Sequence, residues 1–435
     1  MRAVAIAPVF SLGLLFVAPG RPSSAVRSVP ATAAVPETLS VTDRLRVVEQ
    51  IVEHTRAHFA HWAALGPPAV AARTFDSLAT AFRAAARDAA DRRAFDHAAL
   101  AFTAGLRNSH TQFDDRWLRE QDGQTLWLTL RPTTDGWVVA TSEIEGLRAG
   151  DLVTAIDGEP FERFYESRRH LIAASSETTR RLALSLSDHL FPRRFVLTTA
   201  DGRSHVIVRG EPADSVVRAR RRGPPLVSHR WLVADSVAYL RVRRFAPRAY
   251  EDSAVATMRR ALMQAPAVIV DVRGNSGGST PRRLLHTLRG DSATPRLPIE
   301  RSTIGSDRLA VLARLRPIRG PRYRGVLIIL IDRGCASACE DFVAPLAASR
   351  RALVVGDTTW GSTGQPQSID LGDGMSFRVS ARRYTQVDGS PFEGVGVAPH
   401  IAVAVPAASL QSGADPVLER AMREARRALD RRAGG

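Results

Sequence analysis

The chain has 435 residues, of which 44% are hydrophobic, so it can build two or three packed cores and is not an intrinsically disordered protein. Its net charge is +16, and all of the positive side chains are arginine, because the chain contains no lysine. A mechanism that needs lysine as general base is therefore excluded. The arginines are scattered, which indicates a composition bias rather than a nucleic acid surface, and a functional anionic partner stays as the alternative.

The first 25 residues have the features of a secretory signal peptide. Met1-Arg2 precede an apolar stretch that ends at Ala18, and small residues follow up to Ala25. The stretch is shorter than the roughly 20 residues that a bilayer crossing needs, so cleavage after Ala25 is favoured over an uncleaved anchor. We expect a periplasmic or secreted protein with no integral membrane span after cleavage.

A helical domain is predicted for residues 38–118. Thr42-Asp43 can cap a first helix, and alanine-rich helical sequence continues to Leu106. The apolar residues at helical spacing in the first helix are Leu45, Val48, Val52, Phe59 and Trp62. The same spacing predicts one shared face for His54, His58 and His61, and a solvated face is favoured over a metal site because no carboxylate or cysteine accompanies them.

Residues 119–212 change to the alternation of strands, at 126–130 and again at 137–140. The run from Gly146 to Gly158 resembles the signature of a PDZ-like domain. That resemblance implies binding of extended peptides by strand addition, and recognition of free C-termini stays open because no carboxylate-binding loop precedes Trp127. Residues 213–228 are predicted to be a linker, with an arginine cluster at 218–222 and Gly223-Pro224-Pro225.

Residues 229–435 predict an α/β core, since short apolar runs alternate with helical segments and a helix closes the chain from about Pro416 to Arg431. The predicted strands are 237–242, 267–272, 325–331 and 352–355. The fold class is therefore α/β and multidomain: a helical domain, a PDZ-like domain and the core.

Ser337 has the context of a serine nucleophile. It follows the apolar strand 325–331 and precedes Glu340, so it stands at a helix start beside backbone N–H groups that have no helical acceptor. A helix cap is the alternative role for such a serine. Cys335 and Cys339 bracket it, and two buried free thiols are favoured over a strained disulfide between them.

Several segments, in this order, resemble the C-terminal-processing (tail-specific) serine peptidase family. They are Ala267–Gly278, Ala336–Glu340, Val354–Gly361 and the closing Gly394-Val395-Gly396-Val397-Ala398-Pro399. The resemblance implies a ClpP/crotonase-like spiral core, polypeptide or peptide substrates, and no cofactor or metal. His400 stands where the family usually has aspartate.

In one branch of that family a lysine follows a Thr-x-Gly turn, whereas here Ser362 follows Thr359-Trp360-Gly361. A second branch, which includes the tricorn core protease, uses a histidine assisted by serine and glutamate. The matching residues are Ser109, His110 and Glu393. The resemblance thus implies Ser337 as nucleophile, His110 as general base and Glu393 as its orienting group, with Ser109 as a link between them. It places the oxyanion hole at the N–H groups of Ala338 and of Gly277 or Gly278.

Other functions stay open at this point. Gly274–Gly278 imitates the nucleophile loop of trypsin-like proteases, but the PDZ-like segment precedes it here, so Ser276 is interpreted as a turn residue. An inactive family member that binds peptide or hydrophobic ligands is one alternative, and an esterase with the same residues is another. The oligomeric state is not predicted.

Overall fold

A computed structural model describes residues 35–434 except for 123–124, 211–223, 248, 291–298, 304–305, 309–319 and 387. The predicted signal peptide, the arginine cluster at 218–222 and most of the predicted linker lie outside the described residues. Within the described part, no helix has both the length and the apolar character needed to cross a bilayer.

Three helices form the N-terminal unit, and aromatic rings pack between their apolar faces. The elements are α1 (Val41–His58), a 3₁₀ turn (Trp62–Leu65), α2 (Pro68–Asp88), α3 (Arg92–Gly105), β1 (Gln112–Asp115) and α4 (Arg116–Asp122). The side chain of Ser40 caps α1 by accepting from the Asp43 N–H. Because α1 ends at His58, His61 does not share the face of His54 and His58; it is 2% exposed, which corrects the predicted solvated face.

The second unit is an antiparallel sheet with short helices. Its elements are β2 (Leu128–Thr133), β3 (Gly136–Ser142), β4 (Leu152–Ile156), β5 (Glu159–Pro160), α5 (Phe161–Arg168), a 3₁₀ turn (Arg169–Leu171), α6 (Glu177–Leu184), a second 3₁₀ turn (Asp188–Leu190), β6 (Arg194–Thr199) and β7 (Ser204–Val208). The strand order is β2-β3-β4-β6-β7, and β5 pairs with β4. The assignment as PDZ-like stays a prediction.

The third unit contains the central sheet. Its elements are β8 (Val227–Val233), β9 (Val237–Val242), α7 (Ala249–Thr257), a π-helical turn (Met258–Leu262), β10 (Ala267–Asp271), α8 (Arg282–Leu288), β11 (Ile299–Thr303), β12 (Ser306–Arg308), β13 (Val326–Ile331), α9 (Ala338–Ala348), β14 (Leu353–Gly356), β15 (Gln367–Gly372), β16 (Met375–Val379), β17 (Arg383–Tyr384), β18 (Ile401–Ala402), α10 (Ala407–Ser412) and α11 (Pro416–Ala433).

The central sheet has the order β18-β14-β13-β10-β9-β8, parallel except for the antiparallel edge strand β8. Every residue of β10 is buried, as expected for a strand covered on both faces. The predicted mixed α/β fold is confirmed. Strand β8 begins at Val227, inside the segment predicted to be linker.

A shared sheet joins the N-terminal helical unit to the third unit. Strand β1 pairs antiparallel with β16, which pairs with β15. Phe113 of β1 packs in one apolar cluster with Phe377 of β16 and the inner faces of α1, α2 and α3. This pairing anchors His110, which lies two residues before β1, against the core of the molecule.

Cys335 and Cys339 form a disulfide, so the favoured interpretation as free thiols is wrong. The prediction that a disulfide would be strained assumed a regular helix from Cys335 onward. In the structure the helix begins only at Ala338, and the turn before it brings the two Cα atoms to 5.4 Å, within the range that a disulfide permits.

Candidate active site

Ser337 lies in a sharp turn between β13 and α9. Its backbone has φ 57° and ψ −123°, a conformation that a residue with a Cβ rarely adopts and that the surroundings must hold in place. The Ser337 N–H donates to the Ser362 carbonyl oxygen at 3.0 Å and faces Oε2 of Glu340 at 3.1 Å. The next residue, Ala338, opens the helix, so its N–H has no intrahelical acceptor.

The loop at Gly277 packs directly against this turn. A Cβ on Gly277, where φ is +92°, would lie 2.6 Å from the Ala336 carbonyl oxygen and 2.9 Å from the Ser337 Cβ. The Gly277 N–H donates to Oδ1 of Asn275 at 2.9 Å. Gly277 therefore serves close packing, and of the two predicted glycine donors Gly278 is the one left for an oxyanion.

His110 is connected to a carboxyl group through one serine hydroxyl. Its ring, 4% exposed, has Nδ1 2.6 Å from Oγ of Ser362, and that hydroxyl donates to Oε1 of Glu393 at 2.7 Å. A hydroxyl that donates to the carboxylate accepts from Nδ1–H. This places the proton of the neutral ring on Nδ1 and the lone pair on Nε2, in a relay His110–Ser362–Glu393.

Ser109 does not lie between Glu393 and His110, which is the position predicted from the sequence. Its hydroxyl accepts from the Ser175 N–H at 3.0 Å, and the Ser175 hydroxyl in turn donates to Oε1 of Glu393. Ser109 is thus one residue removed from Glu393, and Ser362 occupies the position between carboxylate and imidazole. The signal that could have found Ser362 is its register, because it stands where the other branch has its lysine.

Asn108 is a further residue that sequence reasoning missed. It is fully buried, its Nδ2 donates to Oε1 of Glu393 at 2.8 Å, and its Oδ1 accepts the His110 backbone N–H at 3.0 Å. One side chain therefore fixes both ends of the relay. The Asn-Ser-His order at 108–110 carries this information, but an asparagine beside a histidine is also common in ordinary turns.

Glu340 joins the nucleophile turn to the relay. It is fully buried; Oε1 accepts from Oγ1 of Thr359 at 2.5 Å and from the Gly361 N–H at 2.7 Å, and Oε2 accepts from the Ser362 N–H at 2.9 Å. Together with the Ser337 N–H, these donors surround the carboxyl group. In the sequence Glu340 is indistinguishable from any acidic residue in a first helical turn.

The electrostatics of the site are set mainly by burial. Burial lowers the pKa of His110 to about 3, and the positive charge of Arg378 adds to this effect. Burial raises the pKa of Glu393 to about 7, although hydrogen bonds from Ser175 and Ser362 oppose the rise. Burial also raises the pKa of Glu340 to about 8, against hydrogen bonds from its donors. His110 is therefore neutral near pH 7, the state that a general base requires.

A cleft of about 360 Å³ opens beside His110. All three units contribute to its wall, which is mixed apolar and polar. Its lining includes Ser109, His110, Ile172, Ser276, Ala336 and Trp360. A cleft that reaches His110 and is built by several units can accept an extended chain.

The third unit matches a known family of peptidases. The model described as "Peptidase family S41" matches residues 236–403. Residues 236–403 are therefore similar to this peptidase family. The matched segment contains the Ser337 turn, Glu340, Ser362 and Glu393, whereas His110 lies outside it.

Two curated proteases are also similar in sequence to this chain. The chain is 27% identical over 196 residues to the carboxy-terminal processing protease CtpB of Bacillus subtilis (strain 168), covering 43% of this chain and 39% of that protein. It is 24% identical over 307 residues to a carboxyl-terminal-processing protease of Synechocystis sp., covering 68% of this chain and 66% of that protein. The chain thus spans only part of the length of the curated relatives that it matches.

Solved structures with a similar fold superpose on most of this chain. The crystal structure of mature CPAF superposes with a TM-score of 0.61 at 14% identity, covering 85% of this chain and 94% of that chain. A putative peptidase from Parabacteroides merdae superposes with a TM-score of 0.52 at 17% identity, covering 89% of this chain and 97% of that chain. At these identities the likeness shows the fold alone.

Proposed function

We propose that this protein is an extracytoplasmic serine endopeptidase that cleaves polypeptides by acyl transfer to Ser337, with His110 as general base. The observation that carries the proposal is the position of Ser362. Its carbonyl oxygen accepts from the Ser337 N–H at 3.0 Å, and its hydroxyl lies 2.6 Å from Nδ1 of His110. One residue therefore contacts both the nucleophile and the base, although 227 positions separate His110 from Ser337 along the chain.

The first half of the reaction acylates the enzyme. Nε2 of His110 takes the proton of the Ser337 hydroxyl as Oγ attacks the scissile carbonyl carbon. The new positive charge on the imidazole is stabilised by Glu393 through the Ser362 hydroxyl. His110 then gives the proton to the leaving amine, so the peptide C–N bond breaks and Ser337 keeps the acyl group.

The second half returns the enzyme to its starting state. Water replaces the amine, and His110 removes its proton as the water oxygen attacks the acyl carbon. His110 then returns that proton to Oγ of Ser337 as the ester C–O bond breaks and a carboxylic acid leaves. In both halves the carbonyl oxygen becomes an oxyanion. The Ala338 N–H at the start of α9 and the Gly278 N–H are the donors that we assign to it, and a helix N-terminus favours such a charge.

The substrate is proposed to be an extended polypeptide. The cleft beside His110 has the mixed apolar and polar wall that unfolded segments require, and the PDZ-like unit is proposed to hold part of the same chain by strand addition. The predicted signal peptide and the disulfide between Cys335 and Cys339 support the proposed compartment outside the cytoplasm.

Hydrolysis assays separate this proposal from its alternatives. The purified protein is incubated with an unfolded polypeptide and with small esters, beside Ser337→Ala and His110→Ala. Cleavage of the polypeptide that both variants lose supports the endopeptidase. Turnover of esters alone indicates an esterase, and binding of the polypeptide without any hydrolysis indicates a binding protein.

A further inference from the structure

A second buried histidine lies on the opposite side of Glu393 from the relay. His61 is 2% exposed, and its Nε2 lies 3.0 Å from the carbonyl oxygen of Arg382 and 2.9 Å from Oγ of Ser380. A carbonyl oxygen only accepts hydrogen bonds, so Nε2 carries a proton. When the ring is neutral, its lone pair is therefore on Nδ1.

That lone pair faces the carboxyl group of the relay. Nδ1 of His61 lies 3.9 Å from Oε2 of Glu393. The other oxygen, Oε1, accepts from three side chains, whereas Oε2 makes no hydrogen bond of normal geometry to any described residue, although the Thr363 backbone N–H stabilises the charged form. A lone pair and an anionic oxygen repel each other, and a proton bound to either atom removes the repulsion.

We propose that His61 is a positioning residue of the active site that holds one proton jointly with Glu393. The proton lies on Oε2 of Glu393 or on Nδ1 of His61, and the two groups titrate as a unit. While the proton is bound, the pair has no net negative charge to offer His110. Its loss leaves Glu393 as the anion that stabilises the imidazolium formed during the reaction, so this inference rests on the proposed peptidase mechanism.

The surrounding charges favour the same arrangement. Burial lowers the pKa of His61 to about 4, opposed by the hydrogen bond to the Arg382 carbonyl and aided by the charge of Arg383, so the shared proton lies mainly on Glu393. On the other side, charges on Arg378 and His61 both lower the pKa of His110. A proton on the pair therefore opposes proton uptake by His110.

The substitution His61→Gln tests this role. Glutamine can keep a donor toward the Arg382 carbonyl but cannot hold a proton between pH 5 and 9. The measurement is the second-order rate of Ser337 modification by a fluorophosphonate as a function of pH. His54→Gln is the matched control, because His54 lies one helical turn from the end of α1 and contacts His58 and Phe377 rather than Glu393.

We expect a shift of the acid limb, the pH range in which the rate of Ser337 modification falls on acidification, to lower pH. His61→Gln removes the Nδ1 lone pair that repels ionised Oε2, so the apparent pKa of Glu393 falls and the variant keeps its reactivity to a pH lower by about 0.5 unit. In the Glu393→Gln background, His61→Gln should cause no further shift. An acid limb that superposes on that of the wild type, or that moves to higher pH, overturns the proposal.

Wild-type protein offers a second readout that does not depend on the variant folding. In long-range ¹H–¹⁵N spectra of histidine-labelled protein, Nδ1 of a buried Nε2-protonated ring should shift with the midpoint of the acid limb. A constant signal across the limb contradicts the shared proton. Absence of Ser337 modification at any pH would instead contradict the peptidase mechanism, so the two failures are distinguishable.

Discussion

Oε2 of Glu340 lies 3.1 Å from the backbone nitrogen of Ser337. The same oxygen accepts the Ser362 N–H at 2.9 Å, so one carboxyl oxygen links the Ser337 turn to the loop that contacts His110. The turn has a positive φ at Ser337, which costs about 1–3 kcal/mol unless the surroundings hold it. Glu340 is well placed to stabilise that conformation.

The substitution Glu340→Gln should damage the turn. Backbone N–H groups cannot reverse their direction, so an amide cannot replace both carboxyl oxygens, and at least one donor among Gly361, Ser362 and Ser337 loses its acceptor. We expect a loss of about 1–3 kcal/mol in the free energy of unfolding and roughly tenfold slower modification of Ser337. Chemical unfolding and fluorophosphonate labelling measure these effects.

Asp341→Asn is the matched control for that prediction. Asp341 is a neighbouring, half-buried carboxylate whose partners are the hydroxyls of Thr280 and Thr363. Hydroxyl groups can turn to donate or accept, so the amide should be tolerated with labelling within about threefold of wild type. Equal loss of labelling in the two variants would mean that Glu340 has no special role at the turn.

Ser362→Ala and Ser109→Ala should differ. Removal of the Ser362 hydroxyl separates His110 from Glu393, so kcat should fall about 10- to 100-fold with little change in KM. Ser109→Ala removes only a contact with Ser175, and kcat should fall less than about threefold. Steady-state kinetics on an unfolded polypeptide measure both values, and the reverse ranking would restore Ser109 as the link.

Peptidase activity should fall as the pH is lowered through about 7. Burial raises the pKa of Glu393 to about 7, and only its ionised form stabilises protonated His110. Because burial lowers the pKa of His110 to about 3, the histidine does not cause this limb. The pH profile of kcat in Glu393→Gln should lose the limb near pH 7 and show a lower plateau, about 100-fold below wild type. An unchanged limb in this variant would assign it to another group.

Gly277→Ala should disable the site without unfolding the protein. The new Cβ would lie 2.6 Å from the Ala336 carbonyl oxygen, so either the Gly277 loop or the Ser337 turn must move. We expect at least tenfold slower labelling of Ser337. Gly202→Ala is the control, since Gly202 has φ +81° but nothing within 4 Å of a Cβ. Similar losses in both variants would attribute the effect to backbone strain alone.

The sequence predicted the mixed α/β fold and indicated the proposed catalytic groups because the signals of both are local. Buried strands read as apolar runs, and the segments around Ser337 and Glu393 resemble a family in residue order. The partners of these groups carry no such signal. Ser362, Asn108 and Glu340 acquire their roles only when the chain packs, since the contacts of Ser362 with His110, of Asn108 with Glu393 and of Glu340 with Ser362 join separate segments.

Two other differences have the same origin. The disulfide between Cys335 and Cys339 depends on a turn before α9 that a helical reading of the spacing does not contain. His61 appeared to continue a solvated histidine face, but α1 ends three residues earlier and the ring enters the core beside Glu393. The position of a helix end is the least certain part of a sequence prediction. The cysteines lie at the start of α9, and His61 lies just beyond the end of α1.

The central claim is that the hydroxyl of Ser337 reacts with the help of His110. Fluorophosphonate modification followed by peptide mapping tests it most directly. The account predicts modification at Ser337 in the wild type and its loss in His110→Ala, with the thermal stability of the variant preserved. Modification at Ser276, or at Ser337 with equal speed in His110→Ala, would contradict it.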